Sequence, residues 1–152
     1  MDVAYVNPFI SATVKTFEMM MKCDVKPGAP TVKKDASFSF DISGVIGLSG
    51  DALGAIALSF PKDVALKAVS AMIGSECTEI DYEVTDGIGE ITNIIAGNAK
   101  IGLSKFNLSI SLPNIIIGKD HTIQSLSDIP ALLVPFASTI GNFSMEVALK
   151  TP

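Results

Sequence analysis

Asp86-Gly-Ile-Gly-Glu90-Ile-Thr-Asn93-Ile-Ile-Ala-Gly97-Asn98-Ala-Lys100 is the stretch on which the fold turns. Wound as a helix at about 100° per residue, it gathers Ile88, Ile91, Ile94, Ile95, Ala99 and the following Ile101 on one apolar arc. Asp86, Glu90, Asn93, Gly97 and Lys100 fall on the opposite arc. A helix with one apolar side lies on a core, so the rest of the chain has to supply that core. Glu90 and Asn93, one turn apart, then stand side by side facing outward. The same wheel places Asn98 within the isoleucine face, as a buried structural amide whose hydrogen bonds must be met.

Working outward, residues 3–22 carry Val6, Phe9, Ile10, Val14, Phe17, Met20 and Met21 at helical spacing, with Asn7 as cap and Pro8 at the first helical position. The methionine run at 19–21 reads as core filling rather than a partner surface. Residues 23–35 hold two prolines and a glycine and read as a loop, with Lys33 and Lys34 as solvated charge. From Ser37 to Leu48 the pattern alternates as in a strand, with a slip at Gly44. Ala55 to Phe60 forms a second strand across a turn at Gly50-Asp51. Val64 to Ile73 gives a shorter helix closed by Gly74. Glu76, Glu79, Asp81, Glu83 and Asp86 suit an exposed loop and the first turn of the central helix, where the helix dipole favours negative charge.

Beyond that helix, Asn107 to Ile117 alternates again, with Pro113 interrupting the ladder as at an edge or bulge. Gly118 to His121 reads as a turn, and Leu132 to Phe136 and Phe143 to Leu149 as a closing hairpin around Ile140-Gly141-Asn142. The order of elements predicts an α+β domain over residues 1–152, with a mostly antiparallel sheet backed by two long helices. Each half opens with a long helix followed by a hairpin, which hints at an old internal duplication despite a poor residue match.

Composition narrows the functions. A chain of 152 residues with 48% hydrophobic content is the size of one domain with a substantial core. The net charge is −5 and arginine is absent, which argues against nucleic acid as a partner. Apolar runs fall short of the ~20 residues that a membrane-spanning helix needs. The amino terminus lacks the charge and cleavage pattern of a signal peptide, so a cytoplasmic location is expected. Cys23 and Cys77 read as reduced, packed thiols. His121 is the sole histidine, so a metal site has almost nothing to build with.

An exposed Glu and Asn with no histidine, arginine or metal beside them have a narrow chemistry. Glycoside cleavage needs two acids across a cleft, and here only Asp86 and Glu90 share a face, on a convex helix with no evident pocket. A nucleophilic triad lacks its histidine, and no glycine-rich phosphate loop follows a strand. Phosphoryl hydrolysis through a loose transition state does fit, because it asks mainly for a positioned water and charge stabilisation rather than a strong base.

The pattern D-x-x-x-E-x-x-N over residues 86–93, followed by I-I-A-G-N-A-K over 94–100, resembles the signature of the chemotaxis phosphatase family of CheC, CheX and FliY. N-P-F-I-S-A-T-V-K-T-F-E-M-M at 7–20 and G-V-I-G-L-S-G-D-A-L-G-A-I-A-L-S-F-P at 44–61 are similar to the first helix and first hairpin of its CheX branch. Glu18-Met-Met-Met21 lacks a second E-x-x-N, as in CheX and unlike CheC. The family's proline after the motif falls at Pro113, which suggests a shortened helix end or loop.

The resemblance implies a CheC-like fold and a phosphatase acting on a phosphorylated CheY-like response regulator. Glu90 would pair with the regulator's active-site lysine, and Asn93 would orient water onto its aspartyl phosphate. Mg2+ would come with the regulator, with no cofactor of the chain's own. Asp86, Gly97 and Lys100 share the face and are assigned to partner binding, Gly97 by permitting close approach. A homodimer joined through sheet edges is also implied, with Phe143 to Leu149 as the candidate strand. The alternative is a non-catalytic regulator-binding or flagellar-switch-associated scaffold of the same fold.

Overall fold

Among the described residues, three α-helices are laid down by local sequence signals, each with a recognisable cap at one end. The computed structural model describes residues 3–33, 40–119 and 129–152. Helix α1 (Asn7–Met21) buries Phe9, Ala12, Thr13, Thr16, Phe17 and Met21. Asn7 is its first helical residue rather than its cap. A 3-10 turn at Val3–Tyr5 precedes it, and the chain enters through backbone bonds from Phe9 and Ile10 N–H to the Val6 carbonyl. Lys22, with φ of 51°, closes the helix in the left-handed region. Helix α2 (Lys62–Ile73) ends at Gly74, also left-handed with φ of 72°. Helix α3 (Tyr82–Ile101) starts at Asp81, whose carboxylate accepts a hydrogen bond from the Val84 N–H at 3.1 Å.

The strands are β1 (Val25–Pro27), β2 (Thr31–Val32), β3 (Ile42–Gly50), β4 (Leu53–Phe60), β5 (Leu108–Ile110), β6 (Asn114–Ile117), β7 (Ala131–Ser138) and β8 (Phe143–Lys150). They form one eight-stranded sheet in the order β1-β7-β8-β4-β3-β5, with β2 also on β7 and β6 also on β3. Every pairing is antiparallel. Exchanging β1 to β4 with β5 to β8 leaves this set of pairings unchanged. The symmetry belongs to the topology, and the residues of the two halves remain dissimilar.

Helices α1 and α3 pack on each other across one face of the sheet, with α2 beside α3. Under α1, the rings of Phe17, Phe60 and Phe136 gather around Phe143, with centroids 4.7, 5.0 and 5.0 Å from it. Stacked rings of this kind fix the helix against the strands beyond what area burial alone would do.

Several sequence expectations are corrected here. Gly44 marks no slip: the β3–β4 register runs unbroken from Ile42 opposite Phe60 to Leu48 opposite Gly54. Gly44 keeps phase with Ile42 and Ile46, and a Cβ there would collide with the hydroxyl of Thr92, so the glycine lets α3 settle onto the sheet. Thr92, fully buried, returns its own hydroxyl to the Ile88 carbonyl at 2.7 Å.

The buried arc of α3 is accordingly made by Gly87, Gly89, Thr92 and Ala96 as well as by isoleucines. Asn98 and Ile101 are exposed, so Asn98 is not a core amide. A wheel weighted by large apolar side chains misses small residues that are buried because neighbours come close. Strand β8 is not an edge either, since it lies between β7 and β4. Lys33 is not solvated: its Nζ reaches Glu146 Oε2 at 2.8 Å, with the two side chains only 4% and 14% exposed. Lys34, Phe38 and His121 lie outside the described residues.

Candidate active site

Strand β3 is joined on its outer side by β5 and β6, and α3 runs over this margin of the sheet. Gly89 faces the connection between those strands: a Cβ there would sit 3.4 Å from Pro113 Cγ and 3.6 Å from Ile115 Cδ1. The missing side chain leaves the helix close to the strand edge below while its polar face stays open.

The result is an open groove of about 650 Å³. Tyr82, Asp86, Glu90 and Asn93 line it from the helix. Leu112, Pro113, Ile115 and Ile117 line it from the sheet margin. The expectation of a convex surface without a pocket is therefore corrected. The helix alone is convex, but the β5–β6 segment supplies a second wall.

Among the predicted site residues, Asp86, Glu90 and Asn93 are exposed and meet in this groove. Gly97 and Lys100 lie further along the same helix, in a neighbouring hollow of about 590 Å³ that Ile101 and Phe106 help to form. The five positions share one helix face but not one concavity.

Gly97 differs from the other glycines of α3. At Gly87 a Cβ would meet Val69 at 2.8 Å, whereas at Gly97 it would meet nothing within 4 Å. Packing within the chain explains the first glycine and not the second.

Sequence reasoning missed Leu112, Ile115 and Ile117 as groove residues. Pro113, noted as a break in the ladder, was the available signal: it separates β5 from β6 and packs over Gly89.

The only ion pair among the described residues joins Lys33, just after β2, to Glu146 on β8, so no described residue forms an ion pair with Glu90. No group of three or more His, Cys, Asp or Glu among the described residues is placed to hold a metal ion. Nor is any described helix long and apolar enough to cross a membrane. What the groove offers is a carboxylate free to meet a cation and an amide that can both donate and accept toward a water.

Comparison with known proteins agrees with this geometry. The family model for the chemotaxis phosphatase CheX matches residues 42–137. The chain is 29% identical to the CheY-P phosphatase CheX of Thermotoga maritima over 154 residues, covering 99% of each protein. It superposes with a TM-score of 0.91 on a CheC-like superfamily protein from a Shewanella species, at 34% identity over 99% of both chains. A CheX–CheY–BeF3–Mg2+ complex from Borrelia burgdorferi contains a chain similar to this one, with a TM-score of 0.82 and 26% identity over 96% of this chain and 97% of that one. With a family match that spans β3 to β7 and includes the whole of α3, this chain belongs to the CheX family of chemotaxis phosphatases.

Proposed function

We propose that this protein hydrolyses the aspartyl phosphate of a phosphorylated CheY-type response regulator, working in the cytoplasm as a single-domain phosphatase that needs its partner to complete the site. The observation that carries the reading is the pair Glu90 and Asn93, both exposed and both lining one groove on α3. The relative named a CheY-P phosphatase and the relative in complex with CheY and Mg2+ support the choice of partner.

In this reading the regulator brings the phosphoryl group, the Mg2+ and a lysine. Glu90 meets that lysine as a charge-assisted pair and fixes the register of the complex. Asn93 places its amide in line with the phosphorus and holds the attacking water there. Positioning can supply most of the acceleration in a loose phosphoryl transfer. Asp86 adds negative charge at the lysine end of the groove. Gly97 and Lys100 carry the contact into the neighbouring hollow, where Gly97 admits the partner's backbone.

The test is phosphate release from candidate CheY-type regulators, phosphorylated with a small-molecule donor, with and without this protein. A marked acceleration by catalytic amounts is expected, and unchanged decay for every regulator tried would contradict the reading. A homodimer is proposed as well. Among the described residues the open sheet margins are β1–β2 and β5–β6, so an edge-to-edge dimer uses one of these rather than β8. Light scattering should give about twice the 15.9 kDa chain mass, and a clean monomer at micromolar concentration would remove the dimer.

A further inference from the structure

Leu112 is 85% exposed and Tyr82 is 83% exposed, as open to solvent as any large apolar side chain among the described residues. Single exposed apolar residues are ordinary on protein surfaces. These two are not scattered: both line the groove that holds Glu90 and Asn93, and Ile117, 57% exposed, lines it with them. They also come from separate parts of the fold. Tyr82 opens α3, Leu112 lies on the connection between β5 and β6, and Ile117 ends β6.

The occupant follows from the reading above, on which this inference rests. An aspartyl phosphate delivered to Asn93 carries the surface around it over the whole groove, so whatever covers Tyr82 and Leu112 is the regulator's phosphorylation face. Asp86 and Glu90 ask for a cation from that face, and the apolar side chains ask for exposed apolar area beside it.

We infer that Tyr82, Leu112 and Ile117 form an apolar clamp that seats the regulator, separate from the water and charge chemistry of Asn93 and Glu90. The phosphoryl group and its Mg2+ are the same chemistry in any phosphorylated regulator. Discrimination between regulators therefore falls to contacts outside that chemistry, and the clamp supplies the apolar ones within the groove.

The experiment compares the parent with Tyr82→Ser, Leu112→Ser and the double variant. Phosphate release is measured against regulator concentration, and binding of the phosphorylated regulator by surface plasmon resonance. All three variants should melt with the parent, since the side chains are exposed. The double variant should raise KM and weaken binding by about tenfold or more, as loss of apolar anchors at an interface does, while kcat stays within about twofold. Met19, expected from the sequence to fill the core, is 82% exposed on α1, and Met19→Ser should change neither.

A double variant that binds and turns over like the parent overturns the clamp while leaving the catalytic reading intact. A kcat loss at unchanged KM also overturns it, by making these residues part of the chemistry. A parent that binds but releases no phosphate, with the double variant about tenfold weaker in binding, supports the clamp and sinks the catalytic reading instead.

Discussion

Helices α1 and α3 each lead into four strands, and the two sets of strands pair in corresponding ways, but the glutamates of the two helices lead to different things. In α1, Glu18 is exposed and the residue three positions on, Met21, is buried at 7% exposure. In α3, Glu90 and Asn93 are both exposed. Position explains the contrast. Met21 is the last residue of α1, directly before the left-handed turn at Lys22, and faces the core. Asn93 lies mid-helix on the side opposite Ile91 and Ile95, and α3 continues beyond it to Ile101. Equal spacing along a helix thus puts Glu90 and Asn93 in an open groove in one half and Met21 in the core in the other.

This contrast can be broken or sharpened by mutation. The largest effect is expected at Asn93: Asn93→Ala should slow phosphate release by on the order of a hundredfold. Its thermal melt should be unchanged because the side chain is exposed. Met21→Asn gives α1 its own E-x-x-N but buries an amide and removes core volume. It should cost roughly 2 kcal/mol or more in a urea titration and add no activity. A stable Met21→Asn protein with faster phosphate release would show that α1 is a dormant second site. The smallest effect is expected at Gly97, where a Cβ has open space. Gly97→Ala should raise stability by about 1 kcal/mol through helix propensity while raising KM several-fold if the partner's backbone approaches there. A higher melting temperature with unchanged KM would remove Gly97 from the partner contact.

Much of this was legible in the sequence because it is local. Helical spacing located all three helices, Gly74 ended α2, and the first-turn acids marked the start of α3, where Asp81 proves to be the cap. The outward orientation of Glu90 and Asn93 follows from the wheel alone. What could not be read is non-local. The second wall of the groove depends on β6 pairing with β3, which brings Asn114 opposite Val45. Lys33 looked solvated because Glu146, its partner, is 113 positions away. Strand β8 looked like an edge because it ends the chain, but position in a sheet is set by pairing and not by sequence order. Asn98 was misplaced because Gly89, Thr92 and Ala96, buried on the other flank of the arc, carry no large apolar side chain to draw the arc toward themselves.

Glu90 and Asn93 are assigned different work on one face, and steady-state phosphate release against regulator concentration separates the two. The parent, Asn93→Ala and Glu90→Ala are compared with the same phosphorylated CheY-type regulator, after circular dichroism melts establish that all three are equally folded. Asn93→Ala should lower kcat with KM little changed, because it removes the amide that holds the water. Glu90→Ala should raise KM as well as lower kcat, because it removes the anchor to the regulator's lysine. Parent-level kcat and KM in both variants would leave the groove without a catalytic role and would contradict the account.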